Sequence, residues 1–65
     1  MSKYVSLNLN SFVLTSEVKG GYVKEVGHWY VSVLLKNEES MTLGRYESEN
    51  EAREALLYLK EQLQG

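Results

Sequence analysis

The chain has no cysteine, no proline and no aspartate, and its one histidine is His28. Without cysteine there is no thiol nucleophile, and neither a disulfide framework nor a thiolate metal site can reinforce a small core. A Ser-His-carboxylate set would have to join His28 to a glutamate. His28, however, starts a strand beside Gly27, where a solvated imidazole is the ordinary outcome. No histidine–carboxylate spacing points to zinc. Gly20-Gly21 lacks both the Lys-Ser/Thr pair and the strand-to-helix setting of a phosphate loop. The sequence therefore reads as non-enzymatic, with no cofactor and no metal. Long apolar runs are also missing: the longest, Ala55–Leu59, has five residues, against the ~20 that span a bilayer. Met1-Ser2-Lys3 is not followed by an apolar signal segment, so an unprocessed cytoplasmic product is expected.

Sixty-five residues make a single domain, residues 1–65. A chain of this size buries only about 60% of the surface its unfolded form exposes. Association with a second copy would extend so thin a core, and a homodimer is expected. The net charge is −2, from seven Lys/Arg against nine Glu. Six of those glutamates, Glu38, Glu39, Glu47, Glu49, Glu51 and Glu54, fall within seventeen residues. A generic phosphate binder carries the opposite balance.

The pattern that is present is chiefly that of strands. From Tyr4 to Leu9, Val5, Leu7 and Leu9 alternate with polar or exposed positions. The parity changes after Asn10-Ser11, because Phe12 and Leu14 are the next apolar pair, so the first fifteen residues form one bent strand or two short ones. Lys19-Gly20-Gly21 reads as a hairpin turn, Tyr22–Val26 as a strand, and Gly27 as a second break. His28–Lys36 carries the strongest strand signal, with Trp29, Val31, Val33 and Leu35 on one face and Tyr30, Ser32, Leu34 and Lys36 on the other. Asn37-Glu38-Glu39 is a polar turn, and Ser40–Tyr46 returns as the last strand. Ser48 with Glu51 three residues later makes a capping box. Ala52, Ala55, Leu56, Leu59 and Leu63 form the apolar stripe of a helix over residues 49–63. The predicted architecture is α+β, an antiparallel meander of four to five strands packed against one C-terminal helix.

If Trp29 points under the helix, the opposite sheet face presents Tyr30 and Leu34, near Tyr22. Leu57 lies about 100° round the helix from Leu56. These four residues are either a patch for a partner or a surface partly covered by the N-terminal strand, with Leu57 an isolated exposed leucine.

From His28 onward, "HWYVSVLL", a short turn and "MTLGRYESENEAREAL" together resemble the APETALA-type DNA-binding domain of plants. The arrangement is also similar to the arm-binding domains of phage integrases, which share three strands and a helix. The resemblance covers residues 22–63, with Leu43, Gly44, Tyr46, Ser48, Glu51, Ala52 and Ala55 in family positions. It implies that Leu43 and Tyr46 fill the core beneath the helix, that Gly44 permits a bend, and that Ser48 caps. It also implies DNA contact through arginines and tryptophan on the exposed sheet face. On this chain that face would present Lys19, Tyr22, Lys24, Tyr30, Ser32, Leu34, Ser40 and Thr42. Two of these are basic and none is arginine, the side chain best suited to guanine. The expectation is therefore a small non-catalytic interaction or regulatory module, of prokaryotic or phage type. It would bind a protein partner or a second copy through Tyr22, Tyr30, Leu34 and Leu57. The alternative is a nucleic-acid-binding domain using Lys19, Lys24, Tyr22, Tyr30, Ser32 and Thr42, with bases stacked on the tyrosines.

Overall fold

Alternation of bulky apolar residues with smaller or polar ones makes His28–Leu35 the central strand of the sheet. The computed structural model describes residues 3–64. Its elements are β1 (Tyr4–Ser6), β2 (Phe12–Leu14), a 3-10 turn at Thr15–Glu17, β3 (Val18–Val26), β4 (His28–Leu35), β5 (Ser40–Tyr46) and α1 (Glu49–Gln64). The class is α+β, but the strands are not one meander. They form a two-stranded sheet, β1-β2, and a three-stranded antiparallel sheet in the order β3-β4-β5. Residues 4–14 thus contain two short strands, paired Tyr4 to Leu14, Val5 to Val13 and Ser6 to Phe12.

The glycine pair is not a hairpin turn. Lys19-Gly20-Gly21 lies inside β3, at a bulge between Val18 and Gly20. The chain reverses instead at Gly27, whose φ of 76° separates the closing pair Val26 and His28. Gly21 serves a different purpose: a Cβ there would stand 3.1 Å from Leu56 Cδ1 and 3.3 Å from Leu59 Cδ2. The absent side chain lets α1 approach β3 closely.

The helix begins as its capping chemistry dictates. The Glu51 N–H donates to Ser48 Oγ at 3.3 Å, and the Ser48 hydroxyl donates to Glu51 Oε1 at 3.2 Å. Glu49 and Glu51 occupy the first turn, where the helix dipole favours negative charge. From this start α1 lays Ala52, Ala55, Leu56, Leu59 and Leu63 on the sheet. The core contains Val31, Val33, Leu43, Ala52 and Leu59 together with Val5 of β1. Trp29, Val23, Leu35, Met41, Tyr46, Leu7 and Val13 are partly buried around them. Because Val5, Leu7 and Val13 join this cluster, the β1-β2 hairpin packs on the helix side of the three-stranded sheet.

The strand expected over Tyr4–Leu9 stops at Ser6 because the next residues turn to the edge of β5. The Leu9 N–H donates to Leu43 O at 3.1 Å. The Asn8 side chain then binds both backbone groups of Arg45: Nδ2 donates to the carbonyl at 2.6 Å, and Oδ1 accepts the N–H at 2.8 Å. One amide side chain stands in for a neighbouring strand.

In β5 a bulge breaks the two-residue period. Val31 pairs with Gly44 but Ser32 pairs with Thr42, which leaves Leu43 as the extra residue. Met41 and Leu43 therefore face the helix below the bulge, and Gly44 and Tyr46 face it above. The Tyr46 ring folds back over Gly44, where a Cβ would meet Cε2 at 2.7 Å and the phenol oxygen at 2.9 Å. Burial pushes the Tyr46 phenol above its ordinary pKa of 10.0; a backbone hydrogen bond from Asn8 opposes the shift, and the charge of Glu51 adds to it.

Two outcomes follow from this arrangement. Gly44→Ala drives a methyl into the ring and should cost about 1–3 kcal/mol in urea unfolding. Most of that cost should vanish when Tyr46→Ala is the background, because the clash is then gone. The neutral phenol is held more tightly in the folded chain than in the unfolded one. Its stabilisation is therefore complete below pH 10.0 and lost as pH rises through the higher folded value. Tyr46→Phe should flatten this alkaline limb in melts followed by circular dichroism, and an unchanged limb would assign the titration to another group.

Candidate interaction face

The side of the three-stranded sheet away from α1 is assembled by register. Tyr30 of β4 pairs with Lys24 of β3 and with Arg45 of β5, so Lys24, Tyr30 and Arg45 make one row across all three strands. The next row is Tyr22, Ser32 and Thr42, and the one beyond it is Gly20, Leu34 and Ser40. Val26 and His28 close the other end, and the His28 ring meets Tyr30 edge-on at 6.4 Å between centroids. Tyr22 and Val26 are 37% and 68% exposed, Lys24 and Arg45 are exposed, and Tyr30, Leu34 and His28 are half-buried. The N-terminal hairpin lies on the other side of the sheet and does not fold over this surface.

Arg45 is the residue that sequence reasoning missed. Counting by twos from Leu43 turns Arg45 toward the helix; the bulge reverses the parity and places it opposite Tyr30. The signal was legible: Met41 and Leu43 share one phase and Tyr46 has the other, and that mismatch marks an extra residue. The expectation of a face without arginine is corrected accordingly.

The three strands project no carboxylate onto this face. Glu17 is in the 3-10 turn and Glu25 is on the helix-side parity of β3. Glu38 and Glu39 are in the β4–β5 turn, Glu47 is in the bend before α1, and Glu49, Glu51, Glu54 and Glu61 are on α1. Net charge describes the whole chain. It does not describe this surface, where Lys24 and Arg45 flank an aromatic ring with neighbouring side chains about 5 Å apart at Cβ.

The other expected site residues are placed differently. Ser32 is 1% exposed and its Oγ lies 3.1 Å from Thr42 Oγ1, so these two hydroxyls engage each other beneath larger neighbours. Lys19 lies in the β3 bulge, with its ammonium 3.2 Å from Glu38 Oε1. That turn holds Glu38 at a φ of 72°. Both partners are exposed, and such a pair contributes at most about 1 kcal/mol. Leu57 does not join Tyr22, Tyr30 and Leu34. It is 61% exposed on α1 and lines a shallow groove of about 460 Å³ with Val23, Trp29, Leu56 and the Arg53–Glu49 ion pair, on the opposite side of the sheet. Among the described residues no group of three His, Cys, Asp or Glu side chains is arranged to hold a metal ion, and no helix is long and apolar enough to cross a membrane.

No family model, curated protein or solved structure matches the chain.

The two tryptophan- and tyrosine-bearing faces should respond differently to substitution. Trp29→Ala removes an indole packed against the core and should cost roughly 3 kcal/mol. Tyr30→Glu or Leu34→Glu should leave stability within about 1 kcal/mol of the native chain. Urea titrations followed by circular dichroism would check this, and unfolding by either glutamate would mean that the outer face is covered.

Proposed function

We propose that the protein binds single-stranded nucleic acid across the outer face of its three-stranded sheet. The observation that carries this reading is the Lys24–Tyr30–Arg45 row, on a face toward which the three strands turn no carboxylate, Glu25 of β3 lying on the helix side opposite Trp29. Bases present a π-face whatever their identity, and stacking on Tyr22 and Tyr30 takes them without demanding a sequence. Lys24 and Arg45 lie where the phosphates beside a base stacked on Tyr30 would run. The resemblance of residues 22–63 to sheet-face DNA readers points the same way. A single arginine and an engaged Ser32–Thr42 pair supply few donors for base edges in a duplex groove. The single strand is for that reason favoured over double-stranded DNA.

Charge also argues against the first expectation, self-association through this face. A second copy laid face to face would set Lys24 and Arg45 against their own equivalents, with no acid there to answer them. An occupant must bring negative charge.

Fluorescence anisotropy with labelled oligo-dT and oligo-rU tests the reading. Two phosphate contacts on a single strand give a slope near −1.4 in log K against log salt. Arg45→Ala should roughly halve that slope. Tyr30→Ala should leave the slope alone and weaken binding by about tenfold or more. Absence of binding by the native chain at low salt would defeat the proposal, as would an Arg45→Ala variant that binds normally.

A further inference from the structure

The three-stranded sheet has two edges, and they are treated differently. The β5 edge is closed by Leu9 and by the Asn8 amide. Beyond β3, among the described residues, no further strand lies. β3 is nonetheless the longest strand, nine residues without proline. In an antiparallel ladder every second residue of such a strand turns its N–H and C=O away from its one neighbour. Edges like this are usually blunted, and β3 carries charges that would do so: Lys19, Lys24 and Glu25. The order of those charges decides what they repel and what they admit.

We infer that β3 pairs antiparallel with β3 of a second copy about a two-fold axis at Tyr22, making one continuous six-stranded sheet. A two-fold axis perpendicular to a sheet keeps the two faces matched, so residues pair at equal distances on either side of the central one. Lys19 at the bulge then opposes Glu25, Gly20 opposes Lys24, Gly21 opposes Val23, and Tyr22 opposes its own copy, while Val18, beyond the bulge and turned to the helix side, lies outside the matched stretch. Both ends of the seam set an ammonium against a carboxylate, and each glycine receives a larger side chain. Moving the axis to Gly21 or Val23 removes both Lys19–Glu25 contacts. The present partner of Lys19 is the exposed Glu38, a pair that stabilises little, and the flexible lysine stem can turn from it to Glu25 across the seam.

The helix side of the same edge supports the pairing. α1 packs on β3 through Gly21, and the groove beside it contains Val23, Trp29 and the exposed Leu57. Joining two copies at β3 brings both helices to one side of the sheet, with Leu57 near the seam. On the other side the two Lys24–Tyr30–Arg45 rows come to share one surface. The pairing does not depend on the nucleic-acid reading, because it rests on the edge and its charges alone.

The test is sedimentation equilibrium of the full chain, without nucleic acid, over a range of concentrations. The native chain should dimerise. Lys19→Glu sets four carboxylates along the seam and Glu25→Lys sets four ammonium groups there; each should weaken dimerisation by about tenfold or more. The double variant K19E/E25K should restore it. An equimolar mixture of the two single variants should form heterodimers, since each then meets its complement. Both positions are exposed, and circular dichroism confirms that each variant is folded. A native chain that is monomeric at every concentration overturns the proposal. So do single variants that dimerise like the native chain, or a folded mixture that fails to pair.

Discussion

The extra residue in β5 is the constraint on which the rest of the architecture depends. A strand with an unbroken period would have to choose between burying Leu43 and burying Tyr46. With Leu43 inserted opposite β4, both side chains reach the helix side. The same irregularity exposes the Leu43 carbonyl to Leu9 and the Arg45 backbone to Asn8, which docks the N-terminal hairpin. Gly44 is part of the same solution, because only a residue without a side chain can lie under the returning Tyr46 ring. Core, hairpin and outer face therefore share a single local cause.

Partition of charge is the second organising feature. All the acids but Glu25 lie at turns and on α1, where capping, the helix dipole and solvent accommodate them. The outer face is left with Lys24, Arg45 and aromatic rings, Glu25 of β3 being turned to the helix side. The ion pairs Lys19–Glu38 and Arg53–Glu49 are exposed, and pairs of that kind are too weak to shape a fold. What they influence is which cations remain available to an outside anion. Lys24 and Arg45 have no ion-pair partner among the described residues, which is why they and not Arg53 figure in the functional reading.

Much of this was legible in the sequence, and the misreadings have physical causes. The alternation of His28–Leu35 gave the central strand and the inward indole beside the outward phenol. Ser48 and Glu51 marked the start of α1, and the stripe from Ala52 to Leu63 marked its buried side. Gly20-Gly21 misled because adjacent glycines meet two different needs, a positive φ in a turn or close approach by another element. Only the tertiary contact with Leu56 and Leu59 distinguishes them. The grouping of Leu57 with Tyr22 and Tyr30 fails because exposure alone does not say on which side of a sheet a residue lies. Arg45 escapes a parity count carried across the bulge, although the change of parity between Leu43 and Tyr46 is the same sign of irregular backbone as the one at Asn10-Ser11.

The Asn8 amide has one more consequence. A subunit with two receptive margins would add neighbours without limit and grow into a fibre. By sealing one margin with a side chain, this protein keeps a valence of one: any joining at the remaining margin is complete when two molecules have met.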